Sequence, residues 1–260
     1  MIKGDNIVIY NQSSEDMSAI DDESVHLIIG SPPYKVGIDY EGYDDNPSWS
    51  SYTMIMHTVL TECYRVLVPG GRIAIVVANL GRKPYIPLSD LFRELLDGAG
   101  FTNMGEIIWR KFKTSNSTAW GSYMKASRPM IRDVHEYIVL ATKGTDPMNI
   151  YDKSDITKEE WAHWTTSIWD IQPETGKQKK GVHPAPFPKE LPKRLIKLFT
   201  HKGHTVLDPF AGSGTTLWVA RDLLRNGIGF EISEKYYEKM RTPAGVQRLE
   251  KFWSGWFEKI

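Results

Sequence analysis

One cysteine, no long apolar run and no excess of either charge mark this sequence of 260 residues. Cys63 alone can form neither an intramolecular disulfide nor a thiolate-rich zinc site, and the seven histidines have no metal-site spacing, so no metal is expected. No stretch approaches the roughly 18 apolar residues of a membrane-spanning helix. Met1-Ile2-Lys3-Gly4-Asp5 leads into no signal-peptide core, so the expectation is a cytoplasmic protein with no membrane partner. The 32 basic residues cancel the 32 acidic ones, and only their distribution can point to a polyanionic partner. There are no internal repeats, which excludes a solenoid. Hydrophobic residues at 41% and charged residues at 25% exclude a disordered or fibrous chain. The length suits one α/β domain over 1–260 with an insertion.

What is present begins with Val25-His26-Leu27-Ile28-Ile29-Gly30, a buried-strand pattern that runs into Ser31-Pro32-Pro33-Tyr34. Two prolines cannot continue a ladder, so the chain leaves the sheet there and the strand's carboxyl end stays open. That end of an open α/β sheet is where ligands bind. A hydroxyl, a proline carbonyl and an aromatic face suit a flat ring bearing an amino group; a plain surface turn is the competing reading. Asn6–Asn11 reads as an earlier strand, joined to Val25–Gly30 by a short helix as a parallel pair. Residues 35–51 read as a loop over the strand end. From Tyr52, the apolar spacing through Ile55, Met56, Val59, Leu60, Cys63 and Leu67 predicts a helix that stops at Pro69-Gly70-Gly71, with Cys63 a core residue.

Arg72–Asn79 reads as a strand and 88–96 as a helix. Residues 104–112 and 135–142 read as an antiparallel hairpin, 143–181 as an irregular insertion, and the chain closes on a helical tail from Glu234. A second motif lies near the end. The strand 204–208 ends in Asp208, Pro209-Phe210-Ala211-Gly212-Ser213-Gly214 makes a tight turn, and Thr215 and Thr216 open a helix. The next strand, 227–232, carries Glu231. Glycines let backbone approach a ligand, and a carboxylate one strand over can accept ribose hydroxyls. Leu217 stands where a third dinucleotide-fold glycine would fall, and no P-loop lysine follows, so pyrophosphate is disfavoured. Asp208 suits a ligand with an ammonium or sulfonium charge. S-adenosylmethionine is such a ligand.

Ser31-Pro32-Pro33-Tyr34 together with 208–216 resembles the amino-methyltransferases of DNA, in the β-class order where the catalytic motif precedes the cofactor motif. His183-Pro184-Ala185-Pro186-Phe187-Pro188, and Gly229-Phe230-Glu231 ahead of Tyr236-Tyr237, resemble the same family. The resemblance implies a Rossmann-like, seven-stranded, mostly parallel sheet with one antiparallel strand and a circularly permuted motif order. It also implies S-adenosylmethionine as cofactor, held by Asp208, Pro209, Phe210, Ala211, Gly212, Ser213, Gly214, Thr215, Thr216 and Glu231 with His183 and Phe187. The family's Gly-Asp after the first strand is replaced by Asn11-Gln12-Ser13. The adenine contact is therefore open between Gln12 and Ser13, with Asp5 less favoured.

An exocyclic amino group is a poor nucleophile because its lone pair is delocalised into the ring. If Ser31 Oγ and the Pro32 carbonyl accept its hydrogens, the nitrogen becomes more tetrahedral, and Tyr34 would stack on an extruded base. Within the family, the serine form of the motif resembles N4-cytosine enzymes more than N6-adenine enzymes. Arg110, Lys111, Lys113, Lys125, Arg128 and Arg132 fall in a stretch without an acid, and Lys177, Lys179 and Lys180 open a second basic stretch. Both read as contacts to the phosphates of double-stranded DNA, with target recognition in 143–182 helped by 113–130. A companion restriction endonuclease and a homodimer stay open as partners. The competing classes are an N6-adenine transferase, a nicotinamide-dependent oxidoreductase and a non-enzymatic nucleic-acid-binding module.

Overall fold

The computed structural model describes residues 2–4, 6–35, 48–81, 84–111, 121–122, 124–129, 131, 133–146, 148, 154–173 and 188–241. The described strands are β1 (Ile2–Gly4), β2 (Ile7–Tyr10), β3 (Val25–Gly30), β4 (Leu67–Val77), β5 (Thr102–Arg110), β6 (His135–Thr142), β7 (Ile168–Asp170), β8 (Thr205–Asp208) and β9 (Asn226–Phe230). They form one sheet in the order β1-β2-β9-β8-β3-β4-β6-β5-β7. Between the short edge strands β1 and β7 lie the seven expected from the family resemblance. Of these, β6 alone runs antiparallel to its neighbours. The expected 104–112/135–142 hairpin is the β5/β6 pair.

Alternation along the central strands explains the layers. On β4, Ile73, Ile75 and Val77 enter one core with helices α1 (Trp49–Val66) and α2 (Leu88–Gly98). Ala74 and Val76 enter the other, under α3 (Lys158–Trp164), α4 (Glu190–Phe199) and α5 (Thr215–Asp222). A strand covered on both faces has no polar side to show, which is why these segments read as unbroken apolar runs. Cys63 is fully buried on α1, and that burial pushes its thiol pKa well up, as suits a core residue. Among the described residues no helix is long and apolar enough to cross a membrane, and no side-chain cluster could hold a metal ion.

Three sequence expectations are corrected. Helix α1 ends at Val66, and Leu67 with Pro69-Gly70-Gly71 belongs to β4. Residues 11–24 are turns and carry no helix. Strands β2 and β3 are not neighbours, because β9 and β8 lie between them. The insertion is also more ordered than its weak periodicity implied: α3 has a capping box from Thr157 and Glu160, and β7 adds to β5. Trp164 and Trp169 are buried there, and the Trp169 Nε1–H donates to the Trp164 carbonyl. The chain closes its described part with α6 (Glu234–Arg241), the start of the expected helical tail.

Candidate active site

β3 and β8 pair in parallel, so Ser31 and Pro209 leave adjacent strands at the same edge of the sheet. Gly30 sits where the two turns touch. A Cβ there would lie 3.2 Å from both Phe210 Cδ2 and Pro209 Cγ, so a side chain would push the two motifs apart. Motifs far apart in sequence thus become one constellation.

The Ser31-Pro32-Pro33-Tyr34 turn is held by phenols. The Tyr34 hydroxyl donates to the Val76 carbonyl at 3.2 Å and lies 3.3 Å from Ser31 Oγ. A phenol has one hydrogen, so if Val76 receives it, Ser31 donates to Tyr34 and keeps its lone pairs for another group. The Tyr52 hydroxyl on α1 donates to the Pro33 carbonyl at 2.8 Å. Sequence reading placed Tyr52 on a core face and missed this role, because helical periodicity marks burial but not what a buried hydroxyl bonds.

The glycine turn is tied by its acids. Asp208 Oδ1 accepts the Phe210 N–H at 3.0 Å, and burial pushes the Asp208 carboxyl up to about 6. Glu231 accepts the Gly212 N–H through Oε2 at 2.7 Å and the Ser233 N–H through Oε1 at 2.8 Å. Burial pushes its carboxyl up to about 7, against those two donors. Gly212 and Gly214 both adopt left-handed backbone, with φ of 54° and 75°. Leu217 explains the missing third glycine: the close approach of helix to sheet is made by Gly227 and Gly229 on β9, where a Cβ at Gly229 would lie 2.5 Å from Leu217 Cδ1.

Both turns open on one cleft, whose space including its open mouth is about 750 Å³. Ser31 and Pro33 line one side; Pro209, Phe210, Gly212 and Glu231 line the other. Gln12 and Ser13 also line it, whereas Asp5 is outside the described residues. Ile55, Met56 and Val59 of α1 and Ile232 after β9 also line it and were not singled out from sequence as ligand-facing. Pro32 and Tyr34 of the first turn, and Asp208, Ala211, Ser213, Gly214, Thr215 and Thr216 of the second motif, are not among the lining residues; the latter shape the glycine turn and the start of α5.

Gly214 therefore does more for the fold than for the cleft. A Cβ on it would come 2.7 Å from Trp218 Nε1 and 2.9 Å from Met240 Sδ, on backbone that disfavours any side chain. Gly214→Ala is expected to lower stability by about 1–3 kcal/mol, read as a shift of the urea midpoint. An unchanged midpoint would show that the turn relaxes without cost.

Of the basic residues, Lys125 and Arg128 are exposed, whereas Lys111 pairs with Glu136 and lies over the Trp109 ring. Arg110 is bidentate with Asp170 at 2.5 and 2.6 Å. Lys113, Arg132, Lys177, Lys179, Lys180, His183 and Phe187 lie outside the described residues.

Comparison with known proteins agrees with this arrangement. The type II methyltransferase M.MjaI of Methanocaldococcus jannaschii is 32% identical over 281 aligned residues, covering 89% of each chain. M.HpaI of Haemophilus parainfluenzae is 30% identical over 98% of this chain and 77% of its own. The structure of TTHA0409, a putative DNA modification methylase of Thermus thermophilus solved with S-adenosyl-L-methionine, superposes with a TM-score of 0.71 at 29% identity. It covers 89% of this chain and 90% of its own. Residues 25–242 match the N6/N4 methyltransferase family, described as DNA methylase, and that span runs from the strand before Ser31 past the glycine turn and Glu231. The chain belongs to this family of DNA amino-methyltransferases, with its motifs in the β-class order.

Proposed function

We propose that the protein transfers the methyl group of S-adenosylmethionine to the N4 amino group of cytosine within a specific sequence of double-stranded DNA. The observation that carries this reading is the shared cleft, onto which Ser31 and Glu231 both open. The cleft fits the cofactor chemically. Met56, Val59, Phe210 and Ile232 offer an apolar wall for a purine, and Gln12 and Ser13 offer polar groups for its edge. Glu231 has lone pairs beyond the two it gives to backbone N–H groups, which suits ribose hydroxyls. When bound, S-adenosylmethionine supplies an electrophilic methyl on a cationic sulfur.

The chain's own part is to prepare the amino nitrogen. Ser31, with its hydrogen directed at Tyr34, accepts one amino hydrogen, and the Pro32 carbonyl accepts the other. Two acceptors favour the tetrahedral nitrogen whose lone pair is free to react. The half-buried Tyr34 ring is the stacking face for a base drawn out of the duplex. Cytosine is preferred to adenine because serine opens the motif, where the adenine enzymes it resembles usually carry aspartate. Exposed Lys125 and Arg128 are assigned to phosphates together with Lys113, Arg132, Lys177, Lys179 and Lys180. Target recognition is assigned to 143–182, whose described part rests on buried Trp164 and Trp169.

A pH dependence follows from Glu231. Ligand hydroxyls and a cationic ligand both favour its carboxylate, so cofactor affinity is expected to rise as pH increases through about 7 and to level off above. Calorimetry from pH 6 to 8 checks this, and Glu231→Gln should flatten the profile. In the free protein the raised pKa acts the other way: its stabilising contribution is full below the ordinary glutamate range and is lost as pH rises through about 7.

The reading is tested by sequencing for modified bases in DNA from cells that express the protein. Modified cytosine at one recurring short sequence is expected; unmodified DNA would overturn the proposal.

A further inference from the structure

We infer that Tyr52 is a positioning residue for methyl transfer, its hydroxyl setting the catalytic turn against the helix face that walls the cofactor cleft. The inference rests on the transferase reading above. Tyr52 is 1% exposed and donates to the Pro33 carbonyl at 2.8 Å. Pro32 and Pro33 have no N–H, so within the two-proline stretch only carbonyls can be gripped. Tyr52 takes the Pro33 carbonyl, which leaves the Pro32 carbonyl for a substrate. Ile55, Met56 and Val59 follow Tyr52 on the same face of α1, at helical spacing, and all three line the cleft. One rigid stripe therefore holds the turn at one end and bounds the cofactor space along the rest.

The gripped carbonyl belongs to the Pro33–Tyr34 peptide, directly before the residue that carries the Tyr34 ring, and Ser31 reaches back to the Tyr34 hydroxyl. Releasing the carbonyl lets both side chains shift relative to the cleft. Misplacement of about 1 Å can cost on the order of a hundredfold in rate.

The test is a double-mutant cycle of Tyr52→Phe with Ser31→Ala, read as the single-turnover methyl-transfer rate at saturating DNA and cofactor, alongside cofactor affinity. Tyr52→Phe is expected to slow the parent about tenfold with cofactor affinity unchanged, a partial misplacement. In the Ser31→Ala background it should slow the reaction far less, because the acceptor it positions is already gone. Equal losses in both backgrounds would mark a hydroxyl that serves the fold alone and overturn the inference. So would a full-speed Tyr52→Phe protein, or one that fails to fold. Absence of methyl transfer by the parent protein is a different outcome, which sinks the transferase reading and the role of Tyr52 with it.

Discussion

Ser31→Ala is expected to slow methyl transfer in a single turnover by roughly a hundred- to a thousandfold, the range for removing one preorganised polar contact to a reacting centre. The serine is only partly buried, and among the described residues the hydrogen-bond partner of its hydroxyl is the Tyr34 hydroxyl at 3.3 Å, so its removal is expected to leave the fold in place. On the proposed mechanism its oxygen would act where the amino nitrogen changes shape, an interaction stronger in the transition state than in the ground state. Affinities for cofactor and DNA should therefore stay near those of the parent, and the loss should fall on the chemical step. Tyr34→Phe keeps the ring but releases the Ser31 hydrogen from its acceptor, so a smaller loss of about tenfold is expected, one ordinary hydrogen bond's worth. Tyr34→Ala should lose the stacking face as well, worth about 1–3 kcal/mol per base. A Ser31→Ala protein that transfers methyl groups at the parent rate would remove Ser31 from the chemistry.

Arg225→Met is expected to destabilise the fold by about 3–5 kcal/mol, as removal of one partner from a buried ion pair does. The Arg225 side chain is fully buried and holds Asp155 through two bonds of 2.6 and 2.7 Å. It also donates to Thr200 Oγ1 and to the carbonyls of Thr200 and Leu223. It thus fastens the segment before α3 to the end of α4 and the start of β9. A methionine would leave those acceptors and the Asp155 carboxylate without their donor. Urea titration reads the loss, and adding Asp155→Leu should restore much of it. The Arg225 guanidinium holds the Asp155 carboxyl below its usual range, so the pair's contribution is complete above the ordinary aspartate pKa and is lost as pH falls through the depressed value. A loss under about 1 kcal/mol at neutral pH would put the pair with ordinary surface salt bridges.

The elements that sequence revealed are those whose signal is local. The apolar runs of β3 and β4, the α1 stripe and the glycine turn after Asp208 each declare themselves within one short window of sequence. Their pairing is long-range. β3 sits beside β8 across most of the chain, and nothing in either strand alone shows that Gly30 will touch Pro209 and Phe210. Only the joint presence of two motifs made that legible. β7 was hidden because it has three residues and takes its burial from a single side chain, Trp169. Arg225 was hidden because an arginine at a helix-to-strand turn reads as surface unless its carboxylate partner is known. Tyr52 and Glu231 were seen as residues, but their bonds to Pro33 and to the N–H groups of Gly212 and Ser233 are facts of packing, which a one-dimensional pattern does not carry.

In the proposed function the cleft joins a methyl donor to the amino group of a DNA base, and that base is cytosine. The most direct measurement is to incubate the purified protein with DNA and S-adenosylmethionine bearing an isotopically labelled methyl group, digest the DNA to nucleosides, and identify the labelled nucleoside by mass. Labelled N4-methylcytidine in its deoxy form is the predicted result. Label in N6-methyladenine would contradict the choice of base, and DNA without label would contradict the claim as a whole.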